Sequence, residues 1–129
     1  MDKLIRFGFS IDEINNMMNS NPEINDISDN DVSEIINILK GIDCSKDQIM
    51  NILVTNPFVL TGEITEIKKI IVKFLDFGIE DLAFLFDTNP FLLNINYKEI
   101  DSTIKRKTKM GESIDEIKDF FYYESSQMI

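Results

Sequence analysis

Apolar residues return along this chain in pairs four positions apart, and the pairs themselves return at a longer interval. Val32 and Ile36, Ile67 and Ile71, and Ile100 and Ile104 stand ten and fourteen positions after three successive prolines. Each pair marks one face of a helix. Between them run shorter apolar groups at the same spacing: Ile14, Met17 and Met18; Ile49, Ile52 and Leu53; Leu82, Leu85 and Phe86; Ile117, Phe120 and Phe121. The pattern predicts short helices alternating with longer ones. The short ones cannot stand alone in water, so neighbouring helices must cover their apolar faces.

The punctuation repeats with the helices. NPFVL at 56–60 returns as NPFLL at 89–93, and a third Asn-Pro stands at 21–22, so Pro22, Pro57 and Pro90 step by 35 and 33 residues. Proline lacks an N–H and pushes its predecessor out of the helical region, so it ends the short helix and can open a turn of its own. Gly8, Gly41, Gly78 and Gly111 form a second series, and Gly41, Gly78 and Gly111 are expected to close the long helices in the left-handed conformation. Ser10 with Glu13, Ser45 with Gln48, Asn96 with Glu99 and Ser113 with Glu116 have the spacing of capping boxes. A strand reading of ILVTNPFVL and AFLFDTNPFLL has local propensity in its favour, but the helical period around both outweighs it.

The expected fold is therefore all-α: one domain over residues 1–129, a short solenoid or bundle of about three helical-hairpin repeats. Its units fall at roughly 8–40, 41–77 and 78–110, with a partial C-terminal unit at 111–129.

NPFVLTGEITEIKKIIVKFLDFGI, from Asn56 to Ile79, resembles one repeat of the mitochondrial transcription termination factor family. The likeness lies in Asn-Pro-x-x-Leu, the long helix with isoleucines in register, and Phe-Gly-Ile opening the next short helix. Residues 21–42 and 89–114 resemble diverged copies, although Pro22 is followed by Glu23-Ile24-Asn25 without the leucine. The resemblance implies an all-helical solenoid that binds duplex nucleic acid along a basic concave face, with a role in transcription or RNA metabolism.

Charge pulls the other way. Thirteen basic against twenty-three acidic residues give a net charge of −10, which repels phosphate at long range. An acidic surface suits solubility, a basic protein partner or, at an extreme, imitation of DNA. One stretch is locally basic, with Lys98, Lys105, Arg106, Lys107 and Lys109 against Glu99 and Asp101. These five cations, with Lys68, Lys69 and Lys73, are the candidate contacts for nucleic acid or an acidic partner; the plainer reading is a solvated helix face.

The residues offer little for catalysis. There is no histidine, which removes imidazole bases and ligands, and no glycine-rich phosphate loop or nucleophile elbow. Cys44 is the single cysteine and reads as an incidental thiol. Asp12-Glu13, Glu80-Asp81 and Asp115-Glu116 sit at helix starts, where capping explains them. Asp26, Asp29, Asn30 and Asp31 lack calcium-loop spacing. Phe84, Phe86 and Phe91 read as core, whereas Phe120, Phe121, Tyr122 and Tyr123 lie in a terminal unit with no successor to cover them.

The expectation is a non-catalytic binding module without metal or cofactor. A single cysteine, no secretory signal and no apolar run of spanning length make the cytoplasm its expected location. Docking of a protein partner is the first reading. The alternative, from the resemblance, is a small nucleic-acid-binding regulator.

Overall fold

The computed structural model describes residues 2–128. Among them are eight α-helices, four 3-10 turns and no strand. Short helices α2 (Ile11–Ser20), α4 (Lys46–Thr55), α6 (Leu82–Thr88) and α8 (Ile114–Tyr123) alternate with α3 (Asp29–Gly41), α5 (Ile64–Phe77) and α7 (Tyr97–Lys109). The six-residue α1 (Asp2–Phe7) stands before α3 in the row of long helices. The 3-10 turns cover 22–26, 57–61, 90–94 and 125–128.

Like packs on like. Helix α2 packs on α4, α4 on α6 and α6 on α8; α1 packs on α3 and α5 on α7; the turns at 22–26, 57–61 and 90–94 form a third row between them. Each helix hides one apolar face in the seam between the rows. Val32, Ile36, Ile67, Ile71 and Ile100 are buried there with Ile49, Ile52, Leu53, Leu82, Leu85 and Phe86, while Ile104 is half-buried. At the C-terminal end the core turns aromatic, with Phe74 edge-on to Phe86 and Phe121 at centroid distances of 5.9 and 5.0 Å.

The asparagine of each Asn-Pro step does three jobs. Its N–H closes the short helix onto Met17, Ile52 or Leu85, at 2.8 to 2.9 Å. Its carbonyl accepts the first bond of the 3-10 turn, from Ile24, Val59 or Leu92. Its side-chain amide reaches into the next unit: Asn21 donates to the Pro57 carbonyl and Thr61 Oγ1, Asn56 to the Pro90 carbonyl and Asn94 Oδ1, and Asn89 to the carbonyls of Phe121 and Tyr122. These bonds give buried carbonyls the partners they need. The repeated phrase is thus a ladder between units as well as a helix stop.

The helix ends correct one expectation. Gly41 lies inside α3 and is not left-handed; the positive-φ residue that closes this helix is Asp43, at φ 69°. With Gly8, Gly78 and Gly111 at φ 131°, 104° and 86°, the closing positions step by 35, 35 and 33 residues, close to the proline interval. Asp tolerates this conformation better than most residues with a Cβ. At all four ends the next residue's N–H returns to a carbonyl five back: Phe9 to Leu4, Cys44 to Leu39, Ile79 to Phe74 and Glu112 to Lys107, the Schellman arrangement.

Capping boxes form at Ser10, Ser45 and Ser113. The Asn96–Glu99 box does not: Asn96 is the N-cap, but its Oδ1 accepts from Lys98 N, one residue short of Glu99. The paired acids act as caps: Glu13 and Glu116 accept from Ser10 N and Ser113 N, and Asp81 accepts from Phe84 N.

Where the Pro-x-x-Leu pattern lapses, the turn is shallower. Ile24 is buried like Val59 and Leu92, but Asn25 is exposed where Leu60 and Leu93 are buried.

Candidate nucleic-acid interface

Charge is divided between the rows. The helices α1, α3, α5 and α7 carry eleven of the thirteen cations and eight of the twenty-three acids, so they hold +3 while the rest of the chain holds −13. The whole excess lies on α7, with five cations against two acids; α1, α3 and α5 together carry six of each, and α3 alone is −2.

The eight candidate cations fall into four environments. On α7, Lys105, Arg106 and Lys109 line one shallow concavity with Ser102 and Met110. Lys105 Nζ lies 3.1 Å from Asp101 Oδ2, while Arg106 and Lys109 have no carboxylate within 4 Å among the described residues. Lys68 and Lys98 are likewise exposed without an ion pair, outside that concavity.

Lys69 and Lys73 are committed to contacts. Lys73 Nζ meets Asp101 Oδ1 at 3.3 Å, so one carboxylate ties α5 to α7 and is shared with Lys105. Hydrogen bonds from Lys105 and then Lys73 hold Asp101 below the ordinary carboxylate range. Lys69 bonds Glu66 at 3.1 Å and stands 5.5 Å from the Tyr97 ring centroid; the Glu66 bond raises its pKa.

Lys107 belongs to the seam. It occupies the position of Leu4, Leu39 and Phe74 in the other helix ends, and its side chain is only 15% exposed. Its ammonium lies 3.9 Å from the Phe120 ring centroid and 3.4 Å from Glu112 Oε2. The ion pair replaces the apolar contact that usually closes a Schellman motif, and the cation caps the aromatic core.

The remaining candidates also separate. Phe86, Phe120 and Phe121 are core; Phe91 and Tyr122 are half-buried, and the Tyr122 hydroxyl oxygen accepts from Asp81 N. Phe84 and Tyr123 are 37% and 68% exposed, with centroids 6.1 Å apart. Cys44 is buried, and burial first, then Asp87, Asp43 and Asp81, push its thiol up to about 11. Asp29 accepts from Lys3 N and pairs with Arg6 at 3.5 Å.

A second basic group is not visible as a run of charge in the sequence. Lys3, Arg6, Lys40 and Lys46 line a cavity between α1, α3 and the start of α4. The signal for it was the repeat itself, which sets the end of α1 beside α3; a search for runs of charge does not register residues 3 to 46 as neighbours.

The mTERF family model matches residues 1–129. The chain belongs to the mTERF family. No curated protein matches it. Family membership accounts for the helical repeats. Among the described residues of this mTERF chain no helix is long and apolar enough to cross a membrane.

Proposed function

We propose that this mTERF chain is a non-catalytic, nucleic-acid-binding regulator connected with transcription. Helices α5 and α7 face the phosphate backbone, with Lys105, Arg106 and Lys109 as the principal contacts and Lys68 and Lys98 as outlying ones. The observation that carries the reading is the +3 concentrated on α7 within a chain of −10. Cations gathered on one helix release counterions from a nucleic acid while the acidic remainder faces solvent. Lys107, folded onto Phe120, and Lys73, shared with α7 through Asp101, serve the fold first.

A mobility-shift titration at low salt, with duplex DNA and with RNA, tests the reading. Binding at about 1–100 µM protein is expected, weakened when Lys105, Arg106 and Lys109 are replaced by alanine. Absence of any shift in that range contradicts it.

Protein docking is retained as the second reading on one observation, the exposed pair Phe84 and Tyr123 on α6 and α8. Exposed aromatic residues suit the centre of a protein interface. That reading gains if nucleic acid fails to bind and a Phe84→Ala/Tyr123→Ala variant loses a partner that the parent chain retains.

A further inference from the structure

The cavity between α1, α3 and α4 differs from the rest of this acidic molecule. It has a volume of about 380 Å³, and its lining contains Lys3, Arg6, Lys40 and Lys46 but no carboxylate. Arg6 shares its guanidinium with Asp29 at 3.5 Å, while Lys3, Lys40 and Lys46 have no carboxylate within 4 Å among the described residues. Lys40 and Lys46 both hold their ammonium groups beside one ring, 5.8 and 5.9 Å from the Phe7 centroid.

Lys46 reaches from the start of α4 to the C-terminal end of α1, where a cation is favoured. Its side chain crosses Gly8, whose missing Cβ leaves the room: a Cβ there would lie 3.0 Å from Lys46 Cε and Nζ. Gly8 closes α1 at φ 131°, and a side chain there would crowd Lys46. Ser33 and Asn37 add neutral polar groups, and Phe7 with Ile36 forms an apolar wall.

Unneutralised cations converging on one concavity in a chain of −10 call for an anion with several oxygens. An apolar wall beside them calls for an organic group attached to it. We propose that this cavity binds a nucleotide unit: a phosphoryl group among Lys3, Arg6, Lys40 and Lys46, with its attached ring system against Phe7 and Ile36. The unit is either a free nucleotide or part of a strand. The site uses none of the α5 and α7 cations and stands or falls apart from the reading above.

Calorimetric titration of the full chain with 5′-AMP, ADP, inorganic phosphate, and a short oligonucleotide with and without a 5′-phosphate tests this. The expected result is a saturable dissociation constant for ADP of about 10 µM to 1 mM, at least tenfold tighter than for inorganic phosphate. Lys40→Ala/Lys46→Ala should weaken it at least tenfold, Lys40→Arg/Lys46→Arg should restore it, and Phe7→Leu should weaken the nucleotide without changing inorganic phosphate. The Lys105→Ala/Arg106→Ala/Lys109→Ala variant should bind ADP like the parent. Free nucleotide binding as tightly as the oligonucleotide assigns the site to the former; tighter oligonucleotide binding assigns it to a strand, and to a strand end where the 5′-phosphate is required. The proposal is overturned if nucleotides bind no tighter than inorganic phosphate, or if the Lys40→Ala/Lys46→Ala variant, with unchanged circular dichroism, binds as the parent does.

Discussion

Asn56 donates its side-chain amide to Asn94, Nδ2 to Oδ1 at 2.6 Å, across the junction between two repeats. The same amide reaches the Pro90 carbonyl at 3.0 Å, and Asn94 in turn donates to the Phe58 carbonyl at 3.2 Å. The prolines shape the turns; the asparagines join them.

Substituting Asn56 by aspartate keeps the shape but replaces a donor with an acceptor facing a carbonyl and another oxygen. Leaving such groups unpaired costs about 1–3 kcal/mol. Asn56→Asp should therefore lower stability more than Asn56→Ala, and urea denaturation of both variants checks the order.

The register of the helix ends makes Gly41 and Gly78 differ in sign. Gly41 is helical and a Cβ there meets nothing within 4 Å, so Gly41→Ala should stabilise by about 0.5–1 kcal/mol. Gly78 sits at φ 104° with a Cβ position 3.3 Å from the Lys118 side chain, so Gly78→Ala should destabilise by about 1–2 kcal/mol. Thermal melts of the two variants should move in opposite directions.

Lys107 and Phe120 give a further contrast. Lys107→Ala exposes the Phe120 ring and strands Glu112, with an expected loss of about 1–2 kcal/mol, whereas Lys107→Leu restores the residue type found at Leu4 and Leu39 and should cost less. Neither should change nucleic-acid affinity more than Lys109→Ala does. Denaturation midpoints and a binding titration on the same three variants check this.

These cases show what is legible in the sequence. Alternation of short and long helices, the stop at each Asn-Pro and the core positions follow from 3.6-residue periodicity and proline chemistry, which are local. The left-handed Asp43 is not legible there, because Gly41 two residues earlier carries the stronger glycine signal and only helix length decides between them. Nor is the role of Lys107: Phe120 and Glu112 become its neighbours only once α8 folds back. The basic stretch on α7 is legible as a run of charge, whereas the convergence of Lys3, Arg6, Lys40 and Lys46 exists only in the folded chain.

Cys44 sets a pH dependence. Its thiol is raised to about 11 from 9.0, so the neutral form is favoured in the folded state and the unfolded chain ionises first as pH rises. Stability from this group is full below pH 9.0 and declines from there to about 11. A thiol reagent at about pH 8, just below the free thiol's range, should modify the folded chain far more slowly than the urea-unfolded chain; equal rates would place Cys44 at the surface.

The central claim is that this mTERF chain meets nucleic acid through the cations of its long helices, and the salt dependence of binding tests it most directly. Fluorescence anisotropy with a labelled duplex, repeated from about 50 to 200 mM salt, should give a logarithmic slope whose magnitude falls by about 2–3 in the Lys105→Ala/Arg106→Ala/Lys109→Ala variant, at about 0.9 for each phosphate no longer neutralised. A slope near zero for the parent chain, or one that the triple variant leaves unchanged, contradicts the claim.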